Sequence, residues 1–266
     1  MNAFALYKHY IALSFRGQMQ YRASFIMLTI SVFLSSGLEF IGIWAIFDRF
    51  GQLKSWTLAE VALFYGIVNM GMAIAKAVSR GFDHFATTIR NGDFDRLLLR
   101  PRNTVLQLLG QELQLMRIGH FTQGFLVLCY AAYILDITWT APKITLVMAS
   151  TLACACVFGG LFVLRATLCF WTTESLDLIN AVSYGGQETA RYPLSIYRKW
   201  FRRFFTYVIP LACISYYPAL VILDRPDALG SPIWFQWTAP AIGFLFFFLT
   251  LQFWRFGTRH YRSTGS

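Results

Sequence analysis

Charge is scarce in this sequence, and acidic charge scarcest. Only 14% of the 266 residues are Asp, Glu, Lys or Arg, with 13 acidic residues against 23 basic ones. A soluble domain carries about 25% charged residues, so a surface that meets water on all sides is excluded. Alternating segments of about 10 residues, the unit of membrane barrels, are missing as well. So is a Gly-rich turn ending in Gly-Lys-Ser/Thr, which would cradle nucleotide phosphates and hold magnesium. The nearest run, Gly51-Gln52-Leu53-Lys54-Ser55, lacks the glycine before the lysine, so the chain is not expected to hydrolyse ATP itself. His9, His84, His120 and His260 are scattered without metal-ligand spacing. Cys129, Cys154, Cys156, Cys169 and Cys213 lie inside apolar blocks and read as small apolar filler.

What the chain has in place of charge is long apolar blocks. Hydrophobic residues make up 56%, and they run together instead of alternating at helix or strand period. A bilayer core about 30 Å thick needs roughly 20 apolar residues in one helix. Spans are expected at residues 25–47, 61–78, 108–135, 144–170 and 233–256. The third is interrupted by Glu112, Arg117 and His120, so its first turns should be shielded by protein or water. The fold class is all-α and polytopic, with six transmembrane helices. Residues 1–24 read as an amphipathic helix lying in the interface, with Phe4, Tyr7, Ile11 and Phe15 set among Lys8, His9 and Arg16. Residues 25–266 form the transmembrane domain. The block 25–47 is longer than a signal-peptide core.

The net charge of +10 follows the positive-inside rule and does not point to nucleic acid. The loop 80–107 carries Arg80, Arg90, Arg96, Arg100 and Arg102, which places it in the cytoplasm. Residues 48–60 and 136–143 hold only Arg49, Lys54 and Lys143, and they face outward. Both termini are then cytoplasmic, the C-terminal one with Arg255, Arg259 and Arg262. An even number of spans is required.

Residues 171–225 admit two readings, each giving six spans. In one, residues 171–203 are cytoplasmic, with Arg198, Lys199, Arg202 and Arg203 inside, and 204–223 is the fifth span. In the other, 172–192 is a polar fifth span. The block 195–223, broken by Pro210 and Pro218, then dips into the membrane from outside and returns.

The loop 80–107 carries a short helix without a core of its own. Asn91-Gly92 signals a turn, Asp93 is placed to cap a helix, and Pro101 stops it. Phe94, Leu97, Leu98 and Leu99 form an apolar patch, which suits either a partner protein or packing on the chain's own spans. The run Gly92-Asp93-Phe94-Asp95-Arg96-Leu97-Leu98-Leu99-Arg100-Pro101 resembles the coupling-helix region of ABC-2 type ABC-transporter permeases. Within these it resembles a family first described as a domain of unknown function and grouped with daunorubicin-type exporters. Arg191-Tyr192-Pro193-Leu194-Ser195-Ile196-Tyr197, Val208-Ile209-Pro210-Leu211-Ala212 and Tyr216-Tyr217-Pro218-Ala219 carry the same resemblance, which covers nearly the whole chain.

The resemblance implies a type V exporter-like fold in a bacterial inner membrane. It implies a second permease, identical or related, and cytoplasmic ABC ATPase subunits that hold ATP and magnesium and grip the coupling helix. Asn91, Gly92, Asp93, Phe94, Asp95, Arg96, Leu97, Leu98, Arg100 and Pro101 would form that coupling element. It also favours the re-entrant hairpin at 195–223. The chain itself is expected to need no cofactor, and its remaining partner is membrane lipid.

Ionisable residues inside a membrane are costly and mark pathways. Glu39 and Asn69 fall within spans, while Glu174, Asp177, Tyr184 and Glu188 recur at helical spacing. If their segment spans, its carboxylates line a polar face that favours a cationic substrate; if it is a loop, they are solvated charges. Lys76, Arg117 and Arg165 lie near cytoplasmic ends and are expected to snorkel. Export of a hydrophobic or cationic small molecule is the leading expectation. An ion-coupled transporter or channel is the alternative, although no internal repeat of that class is seen. A lipid-processing membrane enzyme lacks a convergent acidic or histidine site.

Overall fold

The computed structural model describes residues 3–172, 177–227 and 230–261, and the described residues are almost entirely helical. Helices α1 (Ala3–Gln20) and α2 (Arg22–Phe50) are separated only by Tyr21. α3 (Leu58–Val78) starts with a capping box: the Thr57 backbone N–H donates to Glu60 Oε2 at 2.8 Å, and the Glu60 N–H donates to Thr57 Oγ1 at 3.4 Å. Short helices α4 (Arg80–Asp83), α5 (Phe85–Arg90), α6 (Asp93–Leu98) and α7 (Thr104–Gln111) follow. Then come α8 (Ile118–Ile134), α9 (Ala141–Thr172) and α10 (Asp177–Ala190). After α11 (Lys199–Arg203) and α12 (Tyr217–Ile222), α13 (Ile233–Thr238) leads into α14 (Pro240–His260).

Among the described residues four helices, α2, α3, α9 and α14, are long and apolar enough to cross a membrane, and the bent pair Lys199–Val208 and Ala212–Ile222 makes a fifth if it is one span. α8 has 17 residues, about 26 Å at 1.5 Å per residue, and alone falls short of a 30 Å core, while the described part of α10 has 14 residues. The single span expected over 108–135 is two pieces. Helix α7 stops at Gln111, and α8 starts only at Ile118. The break is stable because its backbone groups are satisfied. Gln18 donates from its side chain to the Leu113 carbonyl and accepts from the Leu115 N–H at 3.1 Å, while the Gln114 N–H donates to the Ala77 carbonyl at 3.1 Å.

α3 is the axle of the fold, buried along nearly its whole length between α8 and α9. Two glycines permit that approach. A Cβ on Gly66 would lie 2.8 Å from Leu128 Cβ, and one on Gly71 would lie 2.5 Å from Cys154 Cβ. Small residues at such contacts let helix backbones close in where lipid offers no hydrophobic drive. α2 is the opposite case. Among its residues only Ser36, Ile43 and Phe47 are buried, and Met27, Ile30, Leu34, Leu38 and Ile41 face outward. An exposed apolar face of this length suits a lipid or protein neighbour and not water.

Cross-links identify the two ends of the bundle. At one end the loop 51–57 meets residues 195–225. Lys54 Nζ donates to the Ile196 carbonyl at 2.9 Å, Trp56 Nε1 donates to Ser195 Oγ at 3.1 Å, and Arg225 pairs with Glu60 at 2.6 Å. Lys143, at the start of α9, pairs with Asp224 at 2.6 Å at the same end. At the other end Arg165, near the close of α9, bonds both Asp83 and Asn180. α10 therefore leaves the 80–107 end at Asn180, and the chain has reached the 51–57 end by Ser195. Residues 195–225 depart from that end and come back to it. In between, Lys199–Val208 and Ala212–Ile222 are bent by 83° at Pro210, which has no N–H to continue the ladder. π-turns at Phe204–Val208 and Ala212–Tyr216 flank the bend.

Candidate functional site

Arg191, which follows α10, is the hub of a polar node within the bundle. Its side chain is 2% exposed. It pairs with Glu39 of α2 at 2.6 Å and with Glu188 of α10 at 2.5 Å. It also donates twice to Asn69 Oδ1 of α3, at 2.7 and 3.1 Å. Its guanidinium lies 4.9 Å from the centre of the Tyr65 ring. Asn69 in turn donates to Gln123 of α8 at 3.2 Å, and the Tyr65 hydroxyl donates to the Ser36 carbonyl at 2.7 Å. The planar fork of arginine suits this role, since several acceptors are satisfied by one rigid group. A charge so buried without partners would cost several kcal/mol.

Beside the node lies a cavity of about 590 Å³ walled by α2, α3, α8 and α10. Glu39, Tyr184 and Glu188 line it, as do Lys76, Arg117 and His120. Asn69 is fully buried and reaches the node through Arg191, behind the wall. Asp177 begins α10, and its side chain is not among the described ones; Glu174 lies outside the described residues.

Of the carboxylates expected along one face of residues 174–188, Glu188 is the one whose side chain is described, and it pairs with Arg191, as does Glu39. The expectation that the basic residues snorkel needs correction. Lys76 and Arg117 do not reach away from the protein. They line the cavity, with Lys76 Nζ 5.0 Å above the Tyr184 ring and Arg117 Nε donating to Gln114 at 2.9 Å. Arg165 is not free to snorkel either, being 7% exposed and paired with Asp83. Arg191 itself was legible only as part of a motif; its i,i+3 relation to Glu188 is the local signal that pairs them.

The second region of interest is α6. It follows Gly92, whose φ of +70° is left-handed and favours glycine. Asp93 is the first helical residue and not a side-chain cap, and with Asp95 it places two negative charges at the positive end of the helix. Phe94 is not part of an exposed patch. It is fully buried, with ring centroids 5.0 Å from Phe85, 5.3 Å from Phe170, 5.0 Å from Tyr261 and 6.2 Å from Trp254. Leu97 is half-buried, whereas Leu98 is 42% exposed and Leu99 is 85% exposed. Asn91, Arg96, Arg100 and Pro101 are exposed around them. Gln107 donates to the carbonyls of Leu97 and Arg102, both at 3.2 Å, and so pins the loop from within. A pocket of about 410 Å³ opens here between Tyr10, Arg96, Arg100 and Gln111.

Residues 33–265 match the family described as ABC-2 family transporter protein. No curated protein and no solved structure gives a significant match. The match covers most of the chain, including both the Arg191 node and α6, and the chain belongs to this family of membrane transport proteins.

Proposed function

We propose, from the chain's membership of the ABC-2 transporter family, that it is the permease subunit of an ABC exporter in a bacterial inner membrane. The observation that carries this reading is the polar cavity between α2, α3, α8 and α10, which interrupts apolar helices beside a buried charged node. Ionisable residues kept inside such a bundle mark the path of a polar solute. Six crossings by α2, α3, α8, α9, α10 and α14 leave both termini in the cytoplasm. α8 is lengthened by the 3-10 turn Leu115–Arg117 that leads into it, and the described part of α10 by residues 191–193 after it. Residues 195–225, which leave and rejoin one end of the bundle, are then an outward re-entrant hairpin, and α1 lies in the inner interface.

Energy comes from separate ATPase subunits that bind ATP and magnesium. They engage α6 through Leu98, Leu99, Arg96 and Arg100, the groups this helix and its end leave exposed. A second permease, identical or related, covers the outward face of α2. Transport is alternating access: ATP and solute favour different packings of the same helices, since a ligand shifts only the state it binds better.

Co-purification from native membranes tests the reading. The intact chain should bring an ATPase with it, and Leu98→Asp combined with Leu99→Asp should remove that ATPase while the permease stays folded. No ATPase with the intact chain after mild extraction would overturn the reading in favour of an ion-coupled transporter.

A further inference from the structure

The cavity is electrically two-ended. Glu39 and Glu188 sit toward the 51–57 end, where each bonds Arg191. Lys76 lies seven residues further along α3 than Asn69, about 10 Å nearer the 80–107 end. Arg117 precedes α8 at that same end. Neither Lys76 nor Arg117 has a carboxylate within ion-pair distance among the described residues. Lys76 meets the Tyr184 ring, and Arg117 meets the neutral Gln114 amide. The carboxylates that could neutralise them are turned to Arg191. The neighbouring Asp83 and Glu112 are already taken: Asp83 pairs with Arg80 and Arg165, and Glu112 lies 3.9 Å from Arg80.

A further group points the same way. His120 is 5% exposed and lines this half of the cavity, and its Nε2 is buried without a hydrogen-bond partner. Buried polar atoms are satisfied in nearly all native structures, so an orphan nitrogen at a cavity wall asks for a ligand. Ser31 and Ser35 of α2 are exposed along the same wall and offer hydroxyl donors. Two unpaired cations, an unpartnered ring nitrogen and two hydroxyls along one cavity wall form a receptor for negative charge.

Resting on the reading of this cavity as the transport pathway, we infer that its inner half binds the anionic group of the exported molecule, a small organic carboxylate, phosphate or sulfonate. Lys76 and Arg117 are the charged contacts, and His120 and the α2 serines complete the coordination. The acidic residues near Arg191 are a structural clasp and not the substrate's counter-ions. The apolar remainder of the substrate has room on the neighbouring groove between Phe15, Phe25, Leu113 and Phe121, which Arg117 also borders.

Charge-selective thiol labelling tests this without knowing the substrate. Ser31 lies level with Arg117, because Gly119 packs on the α2 backbone at Thr29 and Phe33. Ser31→Cys, combined with Cys129→Ala to remove the exposed native thiol, is labelled in membranes opened to both faces. The probes are a sulfonate and a trimethylammonium methanethiosulfonate, with rates scaled to those on free 2-mercaptoethanol. The anionic reagent should be favoured, and Lys76→Gln with Arg117→Gln should lower its advantage about tenfold. Lys76→Arg with Arg117→Lys should preserve it. Preference for the cationic reagent, or a ratio unmoved by removing both charges, would overturn the anion site while leaving the pathway standing. No reaction with either reagent would mean a dry cavity, and the pathway reading itself would fall along with the inference.

Discussion

Phe94 and Arg191 are buried to nearly the same degree, at 0% and 2% exposed, and they hold the 80–107 end and the middle of the bundle by opposite means. Around Phe94, rings from α5, α14 and Tyr261 pack edge to face and the α9 ring packs tilted. Such contacts add about 0.5–1.5 kcal/mol per pair beyond area burial and have no alternative partner. Around Arg191, α2, α3 and α10 are joined by hydrogen bonds to an ion and α8 joins through Asn69, and two of the ion's acceptors, Glu39 and Glu188, are 49% and 62% exposed in the cavity. Those bonds can be exchanged for water or solute; the ring contacts cannot. Under the proposed function, the first cluster turns α6, α9 and α14 into one rigid transmitter. The second is a clasp that can be remade between states.

The largest expected effect tests the rigid half. Phe94→Ala should remove about 3–5 kcal/mol of stability, read as a lower unfolding temperature of the detergent-solubilised chain and reduced membrane yield. Phe94→Asp would fold still worse, so a lost partner in that variant would say nothing about an interface. If Phe94→Ala unfolds with the unaltered chain, the ring cluster is not what fixes α6, and the contrast with Arg191 disappears.

Arg191→Met comes next. Removing one partner from a fully buried ion pair costs about 3–5 kcal/mol, but here the abandoned carboxylates are half exposed and can be hydrated. Roughly 1–3 kcal/mol is expected instead, with a fold that survives and transport that does not. Arg191→Lys keeps the charge and loses the fork, and should fall between the two in stability. A cost as large as that of Phe94→Ala would make the node a second rigid anchor.

This contrast also explains what the sequence disclosed. Long apolar blocks revealed the spanning helices α2, α3, α9 and α14 because a bilayer leaves little choice of composition. Gly92 and Pro101 bounded α6 for local backbone reasons. Which side of α6 is buried was not legible, because the rings that cover Phe94 arrive from residues as distant as Phe170, Trp254 and Tyr261. Glu39, Asn69, Tyr184 and Glu188 were recognisable as costly polar groups, yet Arg191, which pairs with all but Tyr184, was not. The expectation of a cationic substrate counts carboxylates along one helix, of which only the Glu188 side chain is described, and the cavity wall also carries Lys76 and Arg117 from other elements. The break at 112–117 was visible as misplaced polarity, but the residue that satisfies it, Gln18, lies 95 positions from Leu113.

Glu39→Gln should have the smallest effect on stability and is the most informative about the clasp. Glu39 is the one ion-pair partner that α2 gives the node, and α2 is otherwise the least buried of the long apolar helices. The substitution preserves shape and one acceptor oxygen, so the hydrogen bond from Arg191 can persist without the charge. With the carboxylate half exposed, the cost should stay near 0–1 kcal/mol, within error of the unaltered chain in thermal unfolding. Remaking the clasp during transport, however, requires the bond between α2 and Arg191 to have a defined strength in each state. Weakening it should change turnover at fixed stability, and Glu39→Asp, which keeps the charge but shortens the reach, should do so too. If Glu39→Gln lowers stability by as much as Arg191→Met, then α2 is fixed by this pair and the node is a weld. If it alters neither stability nor turnover, the working contacts of Arg191 are those to Glu188 and Asn69, and α2 moves independently of them.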